Sequence, residues 1–168
     1  MNEQRENIED TLECSNCKNQ VKADDEFCPE CGTLFEDDVM CSNHTDIVAA
    51  GVCIICCLPF CENCGEDINN RFLCHSHSNY EIYQQMARVY GDLVDTKAQY
   101  VKSCLEQAGL HPFIYCKVQP KGGTRLVYTL FEANGDSGGH IVNEVKVMVP
   151  CQEVVTAEET LRELKVII

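Results

Sequence analysis

The sequence reads CSNHTDIVAAGVCIICCLPFCENCGEDINNRFLCHSH over residues 41–77. Eight candidate metal ligands occur there in four pairs, and two residues separate the members of each pair. The pairs are Cys41/His44, Cys53/Cys56, Cys61/Cys64 and Cys74/His77. Cysteine and histidine at this spacing are the usual ligands of structural zinc sites, in which four of them surround one ion. Eight ligands therefore predict two zinc ions in this stretch.

The gap between the second and third pairs indicates how the ligands are shared. Only four residues separate Cys56 from Cys61, which is too few to fold both pairs comfortably around one ion. We therefore expect an interleaved arrangement, in which the first and third pairs hold one ion and the second and fourth pairs hold the other. His75 is an alternative to His77, but His77 is favoured because it keeps the two-residue spacing of the other pairs.

The ligand order in residues 41–77 resembles that of the B-box type zinc finger, a cross-braced family. The resemblance implies one site formed by Cys41, His44, Cys61 and Cys64, and a second site formed by Cys53, Cys56, Cys74 and His77. Apolar residues are expected to pack between the two ions. These residues are Ile47, Val48, Val52, Ile54, Leu58, Phe60, Ile68, Phe72 and Leu73.

A third zinc signature precedes the other two, in CSNCKNQVKADDEFCPECGTLF at residues 14–35. Its ligands are Cys14, Cys17, Cys28 and Cys31. The segment resembles the bacterial zinc-ribbon domain family through FCPECGT at residues 27–33, and Gly32 suits a position of positive φ. A closed four-cysteine site is structural, and metal binding contributes on the order of 10 kcal/mol to folding such a segment. Three zinc ions are predicted in all.

The composition indicates the cellular compartment in which these sites form. The 168 residues include 14 cysteines and no tryptophan. The longest near-continuous apolar run, residues 47–61, is interrupted by Gly51 and Pro59 and is shorter than the roughly 20 residues that cross a bilayer. The first residues are polar and acidic, unlike a secretion signal. We therefore expect a cytoplasmic protein without membrane insertion, in which cysteines bind metal instead of forming disulfides.

The region after the zinc signatures predicts an α+β domain at residues 86–168. A strand at residues 86–92 precedes an amphipathic helix that ends before Gly109. Residues 113–118 and 125–131 alternate as two strands of a hairpin around KGGT at residues 121–124. This glycine pair favours a hairpin turn over a phosphate site.

The last two elements complete the order β-α-β-β-β-α, a mostly antiparallel sheet with helices on one face. Residues 141–149 predict a strand, and Thr156 with Glu159 predicts a capping box for a helix through about Leu164. Residues 87–114 and 144–164 resemble a small prokaryotic signal-transducing domain family, apart from an insertion at about residues 119–143. The resemblance implies a fold more than a function.

No catalytic residue and no site for an organic cofactor is expected. GDSGG at residues 135–139 matches the stretch around the nucleophile of trypsin-like proteases, but Asn134 and the glycines explain it as a turn. A protease of that type also needs a histidine base and a buried aspartate on two β-barrels, which the chain has no room to supply. The sequence therefore predicts a protein that is not an enzyme.

The charge of the chain distinguishes between a protein partner and a nucleic-acid partner. The formal charge is -14, of which -9 falls in residues 1–40, -3 in residues 41–79 and -2 in residues 80–168. Residues 1–13 are expected to form an acidic, flexible tail before the zinc ribbon at 14–35 and the cross-braced finger at 41–79. An acidic chain repels phosphates, so a protein partner is favoured over nucleic acid. A nucleic-acid-binding ribbon regulator and a redox- or zinc-responsive switch are the alternatives.

Overall fold

The computed structural model describes residues 11–116 and 144–167. The chain divides between Asn79 and Tyr80 into two compact units. The zinc signatures at residues 14–35 and 41–77 belong to the same unit. Several sequence predictions lie outside the described residues: most of the acidic tail, the second strand and turn of the hairpin, the GDSGG loop and the first part of the strand at residues 141–149.

Short antiparallel hairpins make up the first unit. Three two-stranded sheets are present in residues 11–79, and in each of them the two strands follow one another in the chain. Their strands are β1 (Thr11–Glu13) with β2 (Gln20–Lys22), β3 (Gly51–Val52) with β4 (Pro59–Phe60), and β5 (Gly65–Asp67) with β6 (Phe72–Cys74). A single hairpin of this size is marginal in water, so other contacts must hold the unit together.

The predicted flexible tail is wrong at its last three residues. Thr11–Glu13 form β1, and Leu12 lies opposite Val21 in the pairing with β2. Val21 is buried beside the cysteines of the ribbon, which gives the hairpin its apolar contact. The composition of this stretch is polar, and only the pairing with β2 reveals the strand.

In residues 80–116 and 144–167, the second unit contains one sheet and two α-helices. Its elements are β7 (Ile82–Tyr83), β8 (Met86–Asp92), α1 (Asp95–Gln107), β9 (Phe113–Cys116), β10 (Val145–Pro150) and α2 (Val154–Glu163). The strand order is β7-β8-β10-β9, and each neighbouring pair is antiparallel. The prediction of a mostly antiparallel sheet with two helices is therefore confirmed. The predicted element order is not confirmed, because residues 117–143 are outside the described part, and β7 was not predicted.

Both helices pack on the two central strands, β8 and β10, and on each other. Two central valines of β10, Val147 and Val149, have no exposed surface. The helix residues that complete this core are Ala98, Val101, Leu105, Val154, Ala157 and Leu161. Leu105 is buried, whereas the adjacent Cys104 is partly exposed. Gly109 follows α1 at φ +81, as the predicted helix end requires.

The predicted capping box at α2 is wrong. The helix begins at Val154, after a 3-10 turn at Cys151–Glu153, so Thr156 lies inside the first turn. Its carbonyl accepts a hydrogen bond from the Thr160 hydroxyl at 2.8 Å. Pro150, the last residue of β10, directly precedes the 3-10 turn, so the helical region begins before Thr156 could act as an N-cap.

Candidate metal centres

The same local hydrogen bond occurs in all four Cys-Cys pairs. The residue after the second cysteine donates its N–H to the carbonyl of the first, at 3.0 Å from Lys18, 2.8 Å from Gly32, 2.8 Å from Cys57 and 3.1 Å from Gly65. In three of these pairs that residue has a positive φ, with values of 66 at Lys18, 79 at Gly32 and 56 at Cys57. The left-handed residue closes the turn and directs both sulfurs to one side. Gly32 has the predicted positive φ, whereas Lys18 and Cys57 adopt it despite their Cβ atoms.

The four cysteines of the ribbon lie around one point. Cys14 Sγ is 3.8 Å from Cys31 Sγ, and Cys17 Sγ is 3.5 Å from Cys28 Sγ. All four sulfurs lie within 4.8 Å of one another. A tetrahedral zinc ion with Zn–S bonds of about 2.3 Å separates its sulfurs by about 3.8 Å. The spacing of the sulfurs therefore fits zinc.

A second set unites the first and third pairs of residues 41–77. Cys41, His44, Cys61 and Cys64 lie together, with their ligand atoms within 4.8 Å of one another. His44 Nδ1 is 3.7, 3.5 and 3.4 Å from the three sulfurs in that order. Tetrahedral zinc places a sulfur and a nitrogen about 3.6 Å apart.

The third set unites the second and fourth pairs. Cys53, Cys56, Cys74 and His77 lie within the same 4.8 Å limit. His77 Nδ1 is 3.5 Å from Cys53 Sγ and 3.2 Å from Cys74 Sγ. His75 is exposed and belongs to no set of candidate ligands in the described residues. The structure thus brings the twelve predicted residues together in three sets of four, with the interleaving that the short gap indicates.

Hydrogen bonds favour the thiolate form of one cysteine in each set. Burial by itself raises the pKa of Cys14 and Cys41, but N–H donors in the neighbouring turns outweigh it and lower the pKa to about 7 and about 6. At Cys53 the largest contribution is the hydrogen bond with Cys56, and the pKa falls to about 4. Each set therefore offers one sulfur that deprotonates readily.

The other thiols of the sets show the opposite tendency. Burial raises the pKa of Cys28, Cys31, Cys61 and Cys74. The pKa of Cys56 is raised first by its hydrogen bond with Cys53 and then by burial. Several thiolates this close repel one another, and a central divalent cation removes that repulsion. The three tetrahedral Cys/His sets therefore fit zinc, an ion that thiolate and imidazole ligands suit.

Asparagine side chains support the ligands, and the sequence analysis missed them. Asn16 Nδ2 lies 3.9 Å from Cys31 Sγ and 3.1 Å from Thr33 Oγ1, which it donates to. Asn43 Nδ2 donates to Cys64 Sγ at 3.4 Å. Donors to a ligand sulfur orient it and stabilise its charge. The signal was available, because Asn16 and Asn43 each directly precede the second ligand of a pair.

The four remaining cysteines lie outside the sets. Cys57 is exposed and Cys151 is buried, while Cys104 and Cys116 are partly exposed. All 14 cysteines lie in the described residues, and no disulfide joins any two of them there.

A cleft of about 360 Å³ lies in the first unit beside β5. Asn16 and Thr33 of the ribbon line it, together with Phe72. Its acidic lining residues are Glu62, Glu66 and Asp67, all of which are exposed. The cleft is thus built from both zinc signatures and carries negative charge.

Comparison with known families supports the ribbon. A family model described as a zinc-ribbon domain matches residues 10–35. No curated protein and no solved structure shows significant similarity to the chain. Neither helix in residues 11–116 and 144–167 is long and apolar enough to cross a membrane. The prediction of a zinc-binding module is therefore confirmed.

Proposed function

We propose that this chain is a non-catalytic, cytoplasmic protein that binds three zinc ions and uses the resulting rigid surface to bind a protein partner. The ligand spacing of residues 41–77 supports a B-box-like finger in this role. The second unit, which resembles a signal-transducing family, would supply a regulatory or adaptor domain.

The closed ligand sets carry the proposal. Each set in the described residues provides four Cys or His ligands, which fill a tetrahedral zinc ion. Catalytic zinc sites instead keep one position open for water or substrate. The distinctive residues of the first unit are therefore used for structure, and its exposed surface is what remains for function.

The charge of the first unit favours protein over nucleic acid. Residues 1–79 contain sixteen Asp or Glu against four Lys or Arg. Bound zinc would leave -2 at the four-cysteine site and -1 at each of the other two, which lowers the nominal charge of the chain from -14 to -18. Nucleic-acid affinity depends on cations that neutralise phosphates, so this surface opposes it.

The cleft beside β5 is the surface that we assign to the partner. The N–H of His75 donates to the carbonyl of Cys64 at 3.0 Å, so these two residues form a hydrogen-bonded pair of the ladder. Bonded and non-bonded pairs alternate in antiparallel sheets, so the backbone groups of Asp67 point away from β6. An extended segment can pair with such an edge, and basic side chains would complement Glu62 and Glu66.

Quantitative affinity capture from cell extract tests the proposal. The baits are the full chain, an E66K/D67K variant and a D37K/D38K variant. All four substituted residues are exposed, and both variants change the charge equally. We expect specific proteins that the full chain and D37K/D38K retain equally and that E66K/D67K loses.

Purified candidates are then titrated against the three baits at several salt concentrations. Equal affinity for the full chain and E66K/D67K would remove the cleft from the proposal. Retention of nuclease-sensitive nucleic acid as the main ligand would favour the alternative of a nucleic-acid-binding regulator.

A further inference from the structure

Two backbone hydrogen bonds join the ribbon to the cross-braced finger. The N–H of Val52 donates to the carbonyl of Gly32 at 2.8 Å, and the N–H of Phe72 donates to the carbonyl of Cys31 at 2.9 Å. We refer to these two bonds and the packing around them as the seam. All four residues are buried.

The seam connects ligands of two different sets. Cys31 is a ligand of the ribbon set, and Gly32 follows it directly. Val52 directly precedes Cys53, and Phe72 lies two residues before Cys74; both cysteines are ligands of the third set. The position of one metal-binding turn therefore determines the position of the strands that carry the other ligands.

The packing leaves no space for a side chain at Gly32 or Gly51, beside the seam. A Cβ atom at Gly32 would lie 2.1 Å from the carbonyl oxygen of Val52 and 3.0 Å from Phe72 Cβ. A Cβ atom at Gly51 would lie 2.6 Å from Cγ of the Phe72 ring. The absence of a side chain at these two glycines is therefore what lets the segments approach one another in the folded chain.

We infer that metal binding at the ribbon set and metal binding at the Cys53/Cys56/Cys74/His77 set are coupled through the seam. An ion at either set orders its half of the seam, so the other half folds and binds metal more readily. Coupling of this kind is reciprocal, so each ion strengthens binding of the other by the same factor. The inference concerns metal binding alone and does not depend on which partner occupies the cleft.

Coupling through two buried hydrogen bonds and their packing should change affinity by about 10-fold, within the usual range of about 5- to 150-fold. The test uses the full chain in zinc buffers that span the free concentration over which each set fills. Brief alkylation followed by peptide mass spectrometry reports the protection of each cysteine separately. This readout needs no activity and distinguishes the three sets.

The first pair of variants removes one set at a time. In C14S/C17S, half-protection of Cys53, Cys56 and Cys74 should move to about 10-fold higher free zinc. In C53S/C56S, half-protection of the ribbon cysteines should move by the same factor. Shifts below twofold in both variants would overturn the inference, as would a large shift in only one direction.

The variant G32A tests the seam itself because it leaves all twelve ligands in place. Its Cβ atom would collide with Val52, so half-protection of Cys53, Cys56 and Cys74 should move to at least threefold higher zinc. K18A is the matched control, since Lys18 also has positive φ after a ribbon cysteine pair. If Cys53, Cys56 and Cys74 stay unprotected at every zinc concentration in C14S/C17S, the test depends on G32A. An unchanged zinc concentration for their half-protection in G32A then overturns the inference.

Discussion

Lys146 Nζ lies 2.6 and 2.8 Å from the two carboxylate oxygens of Glu81. The lysine side chain is 4% exposed, although it stands in the central strand between two valines of the core. Arg88 lies 3.5 Å from Glu81 and also pairs with the buried Glu144. Side chains alternate between the faces of a strand, so these charges lie on the face opposite Val147. Charge pairing therefore stabilises this face of the sheet.

The substitution E81Q should lower the free energy of unfolding of the second unit by about 1–3 kcal/mol, because it leaves a buried ammonium with a weaker acceptor. All six tyrosines lie in residues 80–168 and the chain has no tryptophan, so tyrosine fluorescence during urea denaturation follows this unit alone. The exposed E163Q variant is the control. Equal midpoints for E81Q and E163Q would contradict this role of Glu81.

The metal ligands could be predicted from the sequence because each ligand pair is a local feature. Two ligands separated by two residues form one turn, whatever the rest of the chain does. The arrangement of pairs followed from one short gap, between Cys56 and Cys61. The seam could not be predicted from the sequence. No residue near Gly32 in the chain indicates that Val52 and Phe72, which are distant in sequence, approach it.

The apolar packing of the finger was predicted less well than its ligands. Ile47, Val48 and Leu58 are 37%, 49% and 48% exposed, although they were expected between the ions. Ile55, which was not predicted, is 1% exposed. Strands of two or three residues have no periodicity from which a buried face can be read.

The capping box failed for a related reason. The Glu153 carboxylate, just before α2, bonds the N–H of His111 at 2.8 Å and its Nδ1 at 2.6 Å. This contact spans 42 residues and fixes the chain entering the helix. A local motif such as Thr156 with Glu159 carries no information about it.

Protein purified without added metal should contain three zinc ions per chain. Chelation should unfold residues 14–77, because their short hairpins cannot persist without the ions. The second unit should keep its tyrosine fluorescence and its urea midpoint, since it has its own core. Elemental analysis and denaturation before and after chelation check both statements. One or two tightly held ions would contradict the proposed ligand sets.

His77 should be required for one ion and His75 for none. The H77A variant removes the Nδ1 atom that faces Cys53 and Cys74, so it should lose one zinc ion in mild chelator. The H75A variant removes an exposed imidazole two residues away and should retain all three. Zinc released to a colorimetric chelator measures both. Loss of an ion from H75A alone would exchange the roles of the two histidines.

Asp92 should contribute to the pH dependence of the second unit. The N–H of Val94 donates to its carboxylate at 2.9 Å and is the main cause of its lowered pKa, with Lys97 at 3.2 Å and Tyr90 adding to the effect. Because the folded pKa is lower than the unfolded value of about 3.9, this stabilisation is present above that value and is lost as the pH falls through the folded pKa.

The D92N variant should therefore lower the urea midpoint at pH 7 and flatten its dependence on pH below about 4. Tyrosine fluorescence again follows the transition. D95N, at the exposed start of α1, is the matched control for loss of one charge. Identical pH profiles for D92N and the unchanged chain would show that the Asp92 contacts add no stability.

Cys57 should be replaceable by glycine with a gain in stability. It is exposed and lies outside the three ligand sets, but its φ of 56 places its Cβ in the left-handed region. The C57G variant removes that steric conflict, although glycine also gives the unfolded chain more conformational freedom. The net effect should be a stabilisation of the metal-bound first unit by about 0.5–1 kcal/mol. C57S keeps the Cβ atom and should leave stability unchanged. The chelator concentration at which half of the zinc is released reports the stability of both variants. Loss of a zinc ion from both C57G and C57S would instead identify Cys57 as a ligand.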